Sequence, residues 1–373
     1  MQFLLFSLLS GLLLLLTVLP LSKRPEWWIR GLDFPRFQLA VLGLLLLAAA
    51  ALLLDWSRPH TWAVSLVLLG CLVFHAWWIF PYTPLHRKEV KSAPPTPRAR
   101  RLRLMSANVL MTNRRAADLL ALVRTHRPDV LITLETNAWW EKQLAPLEAD
   151  YPHTLKCPLE NLYGMHLYSR LPLEDARVQF LVEDDVPSMH TVVVLPGDQR
   201  VRLHCLHPAP PSPTENPTSR ERDAELIMVG KAVTGASLPV IVTGDLNDVA
   251  WSDTTRLFRK LSGLLDPRIG RGRYNTYHAS HALLRWPVDH FFHSSHFTCV
   301  ELQRLPAFGS DHFPVLVDLA LGEPHQAPEL VADAQDEQEA DEKMSEESAS
   351  ENEVHRPGEN IAAQNGNGNP TIR

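Results

Sequence analysis

Cysteine is scarce in the 373-residue sequence, with four residues at positions 71, 157, 205 and 299. They show neither the paired spacing of a disulfide framework nor a Cys-x-x-Cys metal motif. We interpret them as free thiols of a protein core, which fits a reducing compartment. An internal repeat is also lacking.

A strong basic excess is absent as well. The net charge is −6 at pH 7, from 36 Lys and Arg against 42 Asp and Glu, and much of the acidity lies near the C-terminus. Segment 102–321 also has slightly more Asp and Glu than Lys and Arg. A protein that binds duplex nucleic acid usually has a basic surface, because phosphate neutralisation supplies most nonspecific affinity. The charge therefore argues against chromosomal DNA as a partner.

Charged residues are missing from three long apolar runs, residues 3–19, 37–54 and 62–80. Each run is close to the roughly 20 residues that a helix needs to cross a bilayer. Nothing basic precedes the first run, so it does not fit a secretory signal. The pattern predicts three transmembrane helices, and tryptophans lie near their ends, at positions 27, 28, 56, 77 and 78. The alternative is a buried helical hairpin of a soluble protein.

Loop charge predicts the orientation of these helices. The first loop and the segment after the third run are rich in Lys and Arg, whereas the second loop has only Arg58. The positive-inside rule then places everything after the third run in the cytoplasm. We expect a multi-pass protein of the bacterial inner membrane whose partner is the lipid bilayer. The alternative is that the basic run binds anionic headgroups while the large domain is translocated.

Composition divides the chain into four segments. Residues 1–81 form the membrane region, and residues 82–101 are a basic, Pro-rich linker that we expect to be extended and poorly packed. Residues 102–321 mix apolar strands and amphipathic helices, a pattern that favours two packed sheets flanked by helices. Residues 322–373 are acidic and low in complexity, so we expect a disordered tail.

Polar side chains follow the apolar strands of segment 102–321 at the points where those strands end. In "IVTGDLNDVA" (residues 241–250), Gly244 permits a sharp turn, and Asp245 and Asn247 come directly after it. Taken alone, this is an ordinary Asx-rich turn. Similar placements recur along the segment, at Asn108, Glu135, His207, Asp289 and Asp311–His312. So many strand ends with an acid, amide or imidazole predict one shared site.

The ordered series Asn108, Glu135, His207, "GDLN", "VDH" and "SDH" resembles the endonuclease/exonuclease/phosphatase superfamily. Its members include pancreatic deoxyribonuclease, abasic-site endonucleases, neutral sphingomyelinases and inositol phosphate phosphatases. The resemblance covers residues 102–321. It implies a four-layer α/β/β/α sandwich of the α/β (α+β) class, here preceded by three transmembrane helices.

The resemblance also implies a metal site. Phosphoester hydrolysis needs a hard cation beside the phosphate oxygens, and Mg²⁺ prefers carboxylate and water oxygens. Glu135 is the expected principal ligand of Mg²⁺, or of Mn²⁺ in its place. Asn108 belongs to the metal and phosphate neighbourhood, and Asp311 is a second metal-site residue.

Five further residues receive catalytic roles from the resemblance. Asp245 orients or deprotonates the attacking water, and Asn247 donates a hydrogen bond to the phosphate. His312 contacts the phosphate, and Asp289 fixes its tautomer and raises its pKa. His207 assists protonation of the leaving group. Taken singly, His207 is more often a core or surface histidine, and Asp289 is able to pair with Arg285.

The expected function is Mg²⁺-dependent hydrolysis of a phosphorylated lipid, a lipid-linked pyrophosphate or another small phosphoester. A membrane-associated nuclease is the alternative, and an inactive module that binds phosphorylated ligands is a further one. Leu110 stands where abasic-site endonucleases carry an acid two positions after the Asn, which argues against that activity. The sequence indicates no protein partner.

Overall fold

The computed structural model describes residues 2–324 and 330–359. The chain divides into two compact units. Unit 1 contains the residues up to Arg87 together with Pro210–Ser219 and Ile269–Arg273. Unit 2 contains Lys88–Ala209, Arg220–Arg268 and the described residues from Tyr274 onward.

Unit 1 is helical. Its helices are α1 Gln2–Val18, α2 Trp27–Arg30, α3 Arg36–Leu53 and α4 Pro59–Ile79. Three stretches, Gln2–Ser22, Arg36–Leu53 and Pro59–Tyr82, are long and apolar enough to cross a membrane, with mean hydropathies of 2.5, 2.1 and 2.1. The predicted number and positions of the three apolar helices are confirmed.

The interior of unit 1 combines an apolar core with buried polar contacts, of which the pair of Thr17 and His75 is one. Leu13, Leu68 and Cys71 are almost fully buried where α1, α3 and α4 pack together. Thr17 Oγ1 and His75 Nε2 lie 3.0 Å apart and share a hydrogen bond. The pair satisfies two polar groups that would be costly to leave unpaired in an apolar setting.

Unit 2 contains two sheets. The first has the order β10-β11-β1-β2-β4-β3, and the second has the order β5-β6-β7-β8-β9. Only β1–β2 and β7–β8 pair in parallel among the described strands. The strands are β1 Arg101–Asn108, β2 Val130–Leu134, β3 His153–Cys157, β4 Met165–Ser169, β5 Leu173–Phe180, β6 Pro187–Leu195, β7 Gln199–Leu206, β8 Val240–Asp245, β9 Asp289–His293, β10 Phe297–Arg304 and β11 Val315–Leu321.

Helices cover the outer faces of both sheets. They are α5 Ala116–His126, α6 Ala138–Leu144, α7 Arg220–Val233, α8 Asp253–Ser262 and α9 Ala334–Glu346. One core cluster joins the facing sides of the sheets, a second joins sheet two to α7, α8 and α9, and a third joins sheet one to α5 and α6. The predicted four-layer α/β/β/α sandwich is therefore confirmed.

Register brings the polar strand ends together. In the first sheet Asn108 pairs with Leu134, so Glu135 follows at the same edge. In the second sheet β7 and β8 run in parallel, and Asp245 pairs with Asp289 of the antiparallel β9. Parallel strands end at the same edge of a sheet, which explains why residues far apart in sequence converge.

The apolar pattern of the sequence does not indicate two edge strands, β3 and β5. β3 His153–Cys157 is partly exposed along its length, and β5 Leu173–Phe180 carries three charged residues and an irregular register opposite β6. Both lack the apolar alternation that identifies a half-buried strand. Edge strands often carry charge and bulges, which discourage pairing with other chains.

The linker is more ordered than its composition indicates. Val90 is fully buried, and Glu89 forms an ion pair with Arg259 at 2.5 Å. The backbone of this stretch also pairs with β10, because Cys299 N donates to Lys91 O at 2.9 Å. Residues 89–92 thus keep an extended backbone in a short β-bridge, but they pack against other parts of unit 2 instead of being poorly packed.

The acidic tail contains α9, which differs from the disorder expected for residues 322–373. Asp333 and Asp336 form a capping box at its start. Ala340 and Met344 are buried against α7 and α8, and Lys260 pairs with Asp336 at 2.7 Å. Tertiary packing and neutralised charge therefore stabilise a helix that composition disfavours. The expectation for residues 325–329 and 360–373 lies outside the described residues.

Candidate active site

The "GDLN" turn ends β8 with a conformation that its residues permit. Gly244 has φ +144°, and a Cβ there would lie 1.9 Å from Leu206 O, so glycine is required by both conformation and space. Asn247 has φ +49°, a left-handed conformation that Asn tolerates better than most residues. Its N–H donates to Asp245 Oδ1 at 3.0 Å. The turn thus holds Asp245 and Asn247 in a fixed relation.

Asn108 links two carboxylates across the two sheets. Its Nδ2 donates to Glu135 Oε1 at 2.7 Å and to Asp245 Oδ2 at 3.2 Å. Its Oδ1 accepts from Leu110 N at 3.0 Å, which fixes the orientation of the amide. Glu135 has φ +59°, and its Oε2 accepts from Met111 N at 3.3 Å. The two strand ends are therefore connected by one amide.

Glu135 has an unfavourable environment for its negative charge. Burial raises the pKa of Glu135 to about 7, and the nearby charges of Asp311 and Asp245 add to the increase. The Asn108 amide and His312 offset part of it. Carboxylates concentrated in this way favour a bound cation, because a cation removes their mutual repulsion.

His312 lies between two buried carboxylates. Its Nδ1–H donates to Asp289 Oδ2 at 2.9 Å, and its Nε2 lies 3.5 Å from Asp245 Oδ2. Ser310 fixes the backbone of this loop, because its Oγ accepts from His312 N and donates to Asn108 O. The three ligand-type side chains Asp245, Asp289 and His312 lie within 4.8 Å of one another.

The carboxylates determine the charge of His312. Burial alone would lower its pKa, but Asp289 and Asp245 raise the pKa of His312 to about 10. Burial likewise works against the charge of Asp245, yet His312, His207 and the Asn247 amide hold the pKa of Asp245 below its ordinary value. His312 is thus an imidazolium near neutral pH and Asp245 is ionised.

His207 follows β7 and is buried beside the same carboxylate. Burial lowers the pKa of His207 to about 4, although the Asp245 charge opposes the shift. Its ring centroid lies 5.4 Å from that of Tyr163. Its Nδ1 has no hydrogen-bond partner among the described residues. The ring is therefore neutral near pH 7.

Asn247 and Asp311 complete the set. Asn247 Nδ2 donates to Pro208 O at 3.0 Å, which uses one of the two amide hydrogens. Asp311 is partly exposed, and its Oδ1 lies 3.4 Å from Ser310 Oγ. All eight residues singled out in the sequence lie at the strand ends described above or in the loops that follow them.

The donor set fits a hard divalent cation. Glu135, Asp245 and Asp311 supply carboxylate oxygens, which Mg²⁺ and Mn²⁺ prefer. His312 is a poor ligand while it is protonated, because neither ring nitrogen then has a free lone pair.

The sequence pattern does not single out three residues that lie near the site. The Tyr277 ring lies 4.9 Å from that of His312. Ser310 belongs to the "SDH" motif, and its position next to Asp311 is the sequence feature that indicates a place near the site. Arg222 Nη1 donates to Asn247 O at 2.8 Å from an amphipathic helix, where sequence alone gives no sign of this contact.

Comparison with solved structures returns matches of low sequence identity. The endonuclease/exonuclease/phosphatase from Beutenbergia cavernae is 19% identical, with a TM-score of 0.48 over 60% of this chain and 72% of that chain. The human Nocturnin catalytic domain with bound sulfate is 16% identical, with a TM-score of 0.49 over 61% and 96%. D. rerio TDP2 complexed with single strand DNA product is 17% identical, with a TM-score of 0.49 over 59% and 98%.

Comparison with curated proteins finds no match. Residues 105–312 match the model of the Endonuclease/Exonuclease/phosphatase family. This span is more than half of the 373 residues and runs from β1 to His312. The chain therefore belongs to the Endonuclease/Exonuclease/phosphatase family.

Proposed function

We propose that this family member, a metal-dependent phosphoric ester hydrolase, acts at a membrane on a phosphorylated lipid, a lipid-linked pyrophosphate or another small phosphoester. The observation that carries the hydrolysis is the position of Asp245. It is hydrogen-bonded to Asn108 at 3.2 Å and lies 3.5 Å from the His312 imidazolium. An ionised carboxylate beside a fixed cation suits the activation of water next to a phosphate.

The metal site in this proposal consists of Glu135 and Asp311, with Asn108 holding Glu135 in place. When bound, Mg²⁺ or Mn²⁺ neutralises phosphate oxygens and lowers the pKa of a coordinated water. The raised pKa of Glu135, about 7, supports this assignment because a cation there would relieve the charge.

Each remaining residue has a role that its environment supports. Asp245 orients the attacking water and accepts its proton. Asn247 donates its second amide hydrogen to a phosphate oxygen, and the His312 imidazolium makes a charge-assisted hydrogen bond to the same group. Asp289 holds His312 protonated and oriented through the 2.9 Å hydrogen bond.

His207 needs the substrate to act as an acid. With a pKa of about 4 it is neutral near pH 7. A bound phosphate is anionic, and a nearby negative charge raises the pKa of an imidazole. We propose that substrate binding thereby prepares His207 to protonate the leaving oxygen.

Two features support a substrate in or near the bilayer. Segment 102–321 has no basic excess, which disfavours duplex DNA. The same chain contains three helices long and apolar enough to span a membrane. By the charge of the loops, we propose a multi-pass inner-membrane protein with unit 2 in the cytoplasm.

The test uses the full-length protein in lipid nanodiscs with Mg²⁺. Release of product is measured for bis-p-nitrophenyl phosphate, phospholipids, polyprenyl pyrophosphates and plasmid DNA, with Asp245→Asn as the blank. We expect Mg²⁺-dependent turnover that is fastest on a lipid phosphoester. Fastest turnover of plasmid DNA would establish the nuclease alternative, and no turnover of any phosphoester would overturn the proposal.

A further inference from the structure

Behind the catalytic turn, one buried arginine contacts the backbone of Asn247. Arg222 is 2% exposed, and its Nη1 donates to Asn247 O at 2.8 Å. The same guanidinium donates to Asp223 Oδ1 from Nε at 3.1 Å and from Nη2 at 2.8 Å. Asp248, next to Asn247, lies 3.6 Å from Arg222 Nη1. The position of Arg222 thus affects the turn directly.

Asp223 in turn is shared between two cations from different helices. Its Oδ1 accepts from Arg222 on α7, and its Oδ2 accepts from Lys343 Nζ on α9 at 2.8 Å. Thr254 Oγ1 also donates to Oδ2, at 3.0 Å. Burial would raise the pKa of Asp223, but Lys343 and Arg222 hold it well below its ordinary value. The carboxylate is therefore a buried charge held by both neighbours.

Loss of Lys343 would change how Asp223 binds Arg222. A buried carboxylate that loses a cationic partner is costly, so the remaining guanidinium is drawn more strongly toward it. Arg222 has to divide its donors between Asp223 and the Asn247 carbonyl. Asn247 has φ +49°, a conformation that its surroundings must maintain.

We propose that Lys343 of α9 is a positioning residue for the catalytic turn, acting through Asp223 and Arg222 on Asn247. The C-terminal acidic segment then supports the catalytic turn from outside the family-matched residues 105–312. The expected effect of Lys343 on turnover rests on the proposed function. Its expected effect on the conformation of the turn does not.

The experiment compares three variants of the full-length protein. Lys343→Met removes the charge, and Lys343→Arg retains it. Lys231→Met is the matched control, because Lys231 also bridges α7 and α9, through Asp341 at 2.6 Å and Glu337 at 3.2 Å. The two lysines are similarly buried, with side chains 17% exposed for Lys231 and 21% for Lys343. Only Lys343 contacts Asp223 in this pair.

Turnover of bis-p-nitrophenyl phosphate and the exchange of backbone amides give two readouts. We expect Lys343→Met to lower kcat about 10-fold with KM nearly unchanged, as is typical for loss of an outer partner of a site. Lys343→Arg should restore most of kcat. Hydrogen–deuterium exchange should rise in the peptide covering residues 244–252 for Lys343→Met and stay at the wild-type level for Lys231→Met.

The Lys231→Met control distinguishes two explanations. Either Lys343 positions the catalytic turn through Asp223, or it only helps to pack α9 against α7. Equal effects of Lys343→Met and Lys231→Met on kcat and exchange would mean that α9 acts only by packing, and would overturn the inference. Unchanged kcat and exchange in Lys343→Met would overturn it too. If the wild type hydrolyses no phosphoester, the proposed function fails, and the exchange of residues 244–252 still decides the role of Lys343.

Discussion

Two of the buried histidine clusters of unit 2 have opposite charge states. His312 contacts Asp289 at 2.9 Å and Asp245 at 3.5 Å. On β6 and β7, His190 Nδ1 lies 2.7 Å from His204 Nδ1, and His190 Nε2 lies 2.8 Å from Ser188 Oγ. Both clusters are buried. They differ in the partners that the histidines have.

The difference in partners reverses the pKa shift. Carboxylates raise the pKa of His312 to about 10, against the effect of burial. Burial lowers the pKa of His190 to about 3, and nothing negative in the His190–His204 pair opposes it. Burial alone therefore does not predict whether a histidine is charged. Two acids keep the His312 imidazolium charged inside the protein, whereas His190 and His204 form a neutral hydrogen-bonded pair.

The largest expected effect comes from removing one acid of the charged cluster. Asp245→Asn should lower kcat by about 10² to 10⁴ with little change in KM, because a positioned base acts only as the bond breaks. The measurement is steady-state turnover of bis-p-nitrophenyl phosphate with Mg²⁺, with circular dichroism to verify the fold. Unchanged kcat in a folded variant would show that "GDLN" is an ordinary turn.

Glu135→Gln tests the metal side of the same cluster. We expect activity to fall by about 10²-fold or more, because the principal oxygen ligand loses its charge, and EDTA should have a similar effect on the wild type. The Mg²⁺ concentration for half-maximal activity in the wild type should rise as the pH falls below about 7, where Glu135 becomes protonated. Metal-independent turnover by the wild type would contradict the assignment.

Asp289→Asn makes the charged cluster resemble the neutral one. The pKa of His312 should fall from about 10, so the variant should lose activity at a lower pH than the wild type as pH rises. Near neutral pH we expect a loss of about 10- to 100-fold in kcat, typical of a hydrogen-bonded supporting residue. The check is a pH profile of kcat for both proteins. Identical alkaline limbs would mean that Asp289 does not control His312.

The sequence indicates the residues of the candidate site, but not the residues that hold them in position. Asp245 and Glu135 follow apolar strands and Asp289 begins one, so the strand pattern alone marks all three as residues of strand ends. Their neighbours Arg222 and Lys343 lie on helices, where a basic residue is typical of a solvated face. Their burial depends on packing between segments far apart in sequence, which no local pattern records.

The same reasoning explains the two corrections outside the site. The tail was expected to be disordered because it is acidic, yet Lys231 and Lys260 neutralise several of its carboxylates in α9. The linker was expected to be poorly packed, yet Glu89 is buried against Arg259. In both cases the deciding partner lies in a different part of the sequence, so composition alone gives the wrong expectation.

The smallest expected effect concerns the neutral cluster and is seen in stability. The pKa of His190 is about 3 in the folded protein and about 6.5 when unfolded, so folding excludes a proton. Its neutral form stabilises the fold fully above about pH 6.5, and this contribution is lost as the pH falls toward 3.

His190→Gln should therefore flatten the acid side of the stability curve while leaving kcat nearly unchanged. One excluded proton gives a slope of at most about 1.4 kcal/mol per pH unit, and the variant should lack that contribution between about pH 6.5 and 4. Thermal unfolding of the full-length protein in nanodiscs, measured at half-unit pH steps, gives both slopes. The variant is expected to be less stable than the wild type at pH 8, because Ser188 and His204 lose their partner, so the comparison is of slopes rather than of Tm. Equal slopes would mean that His190 already binds a proton in the folded protein, and the contrast with His312 would then depend on something other than the carboxylates.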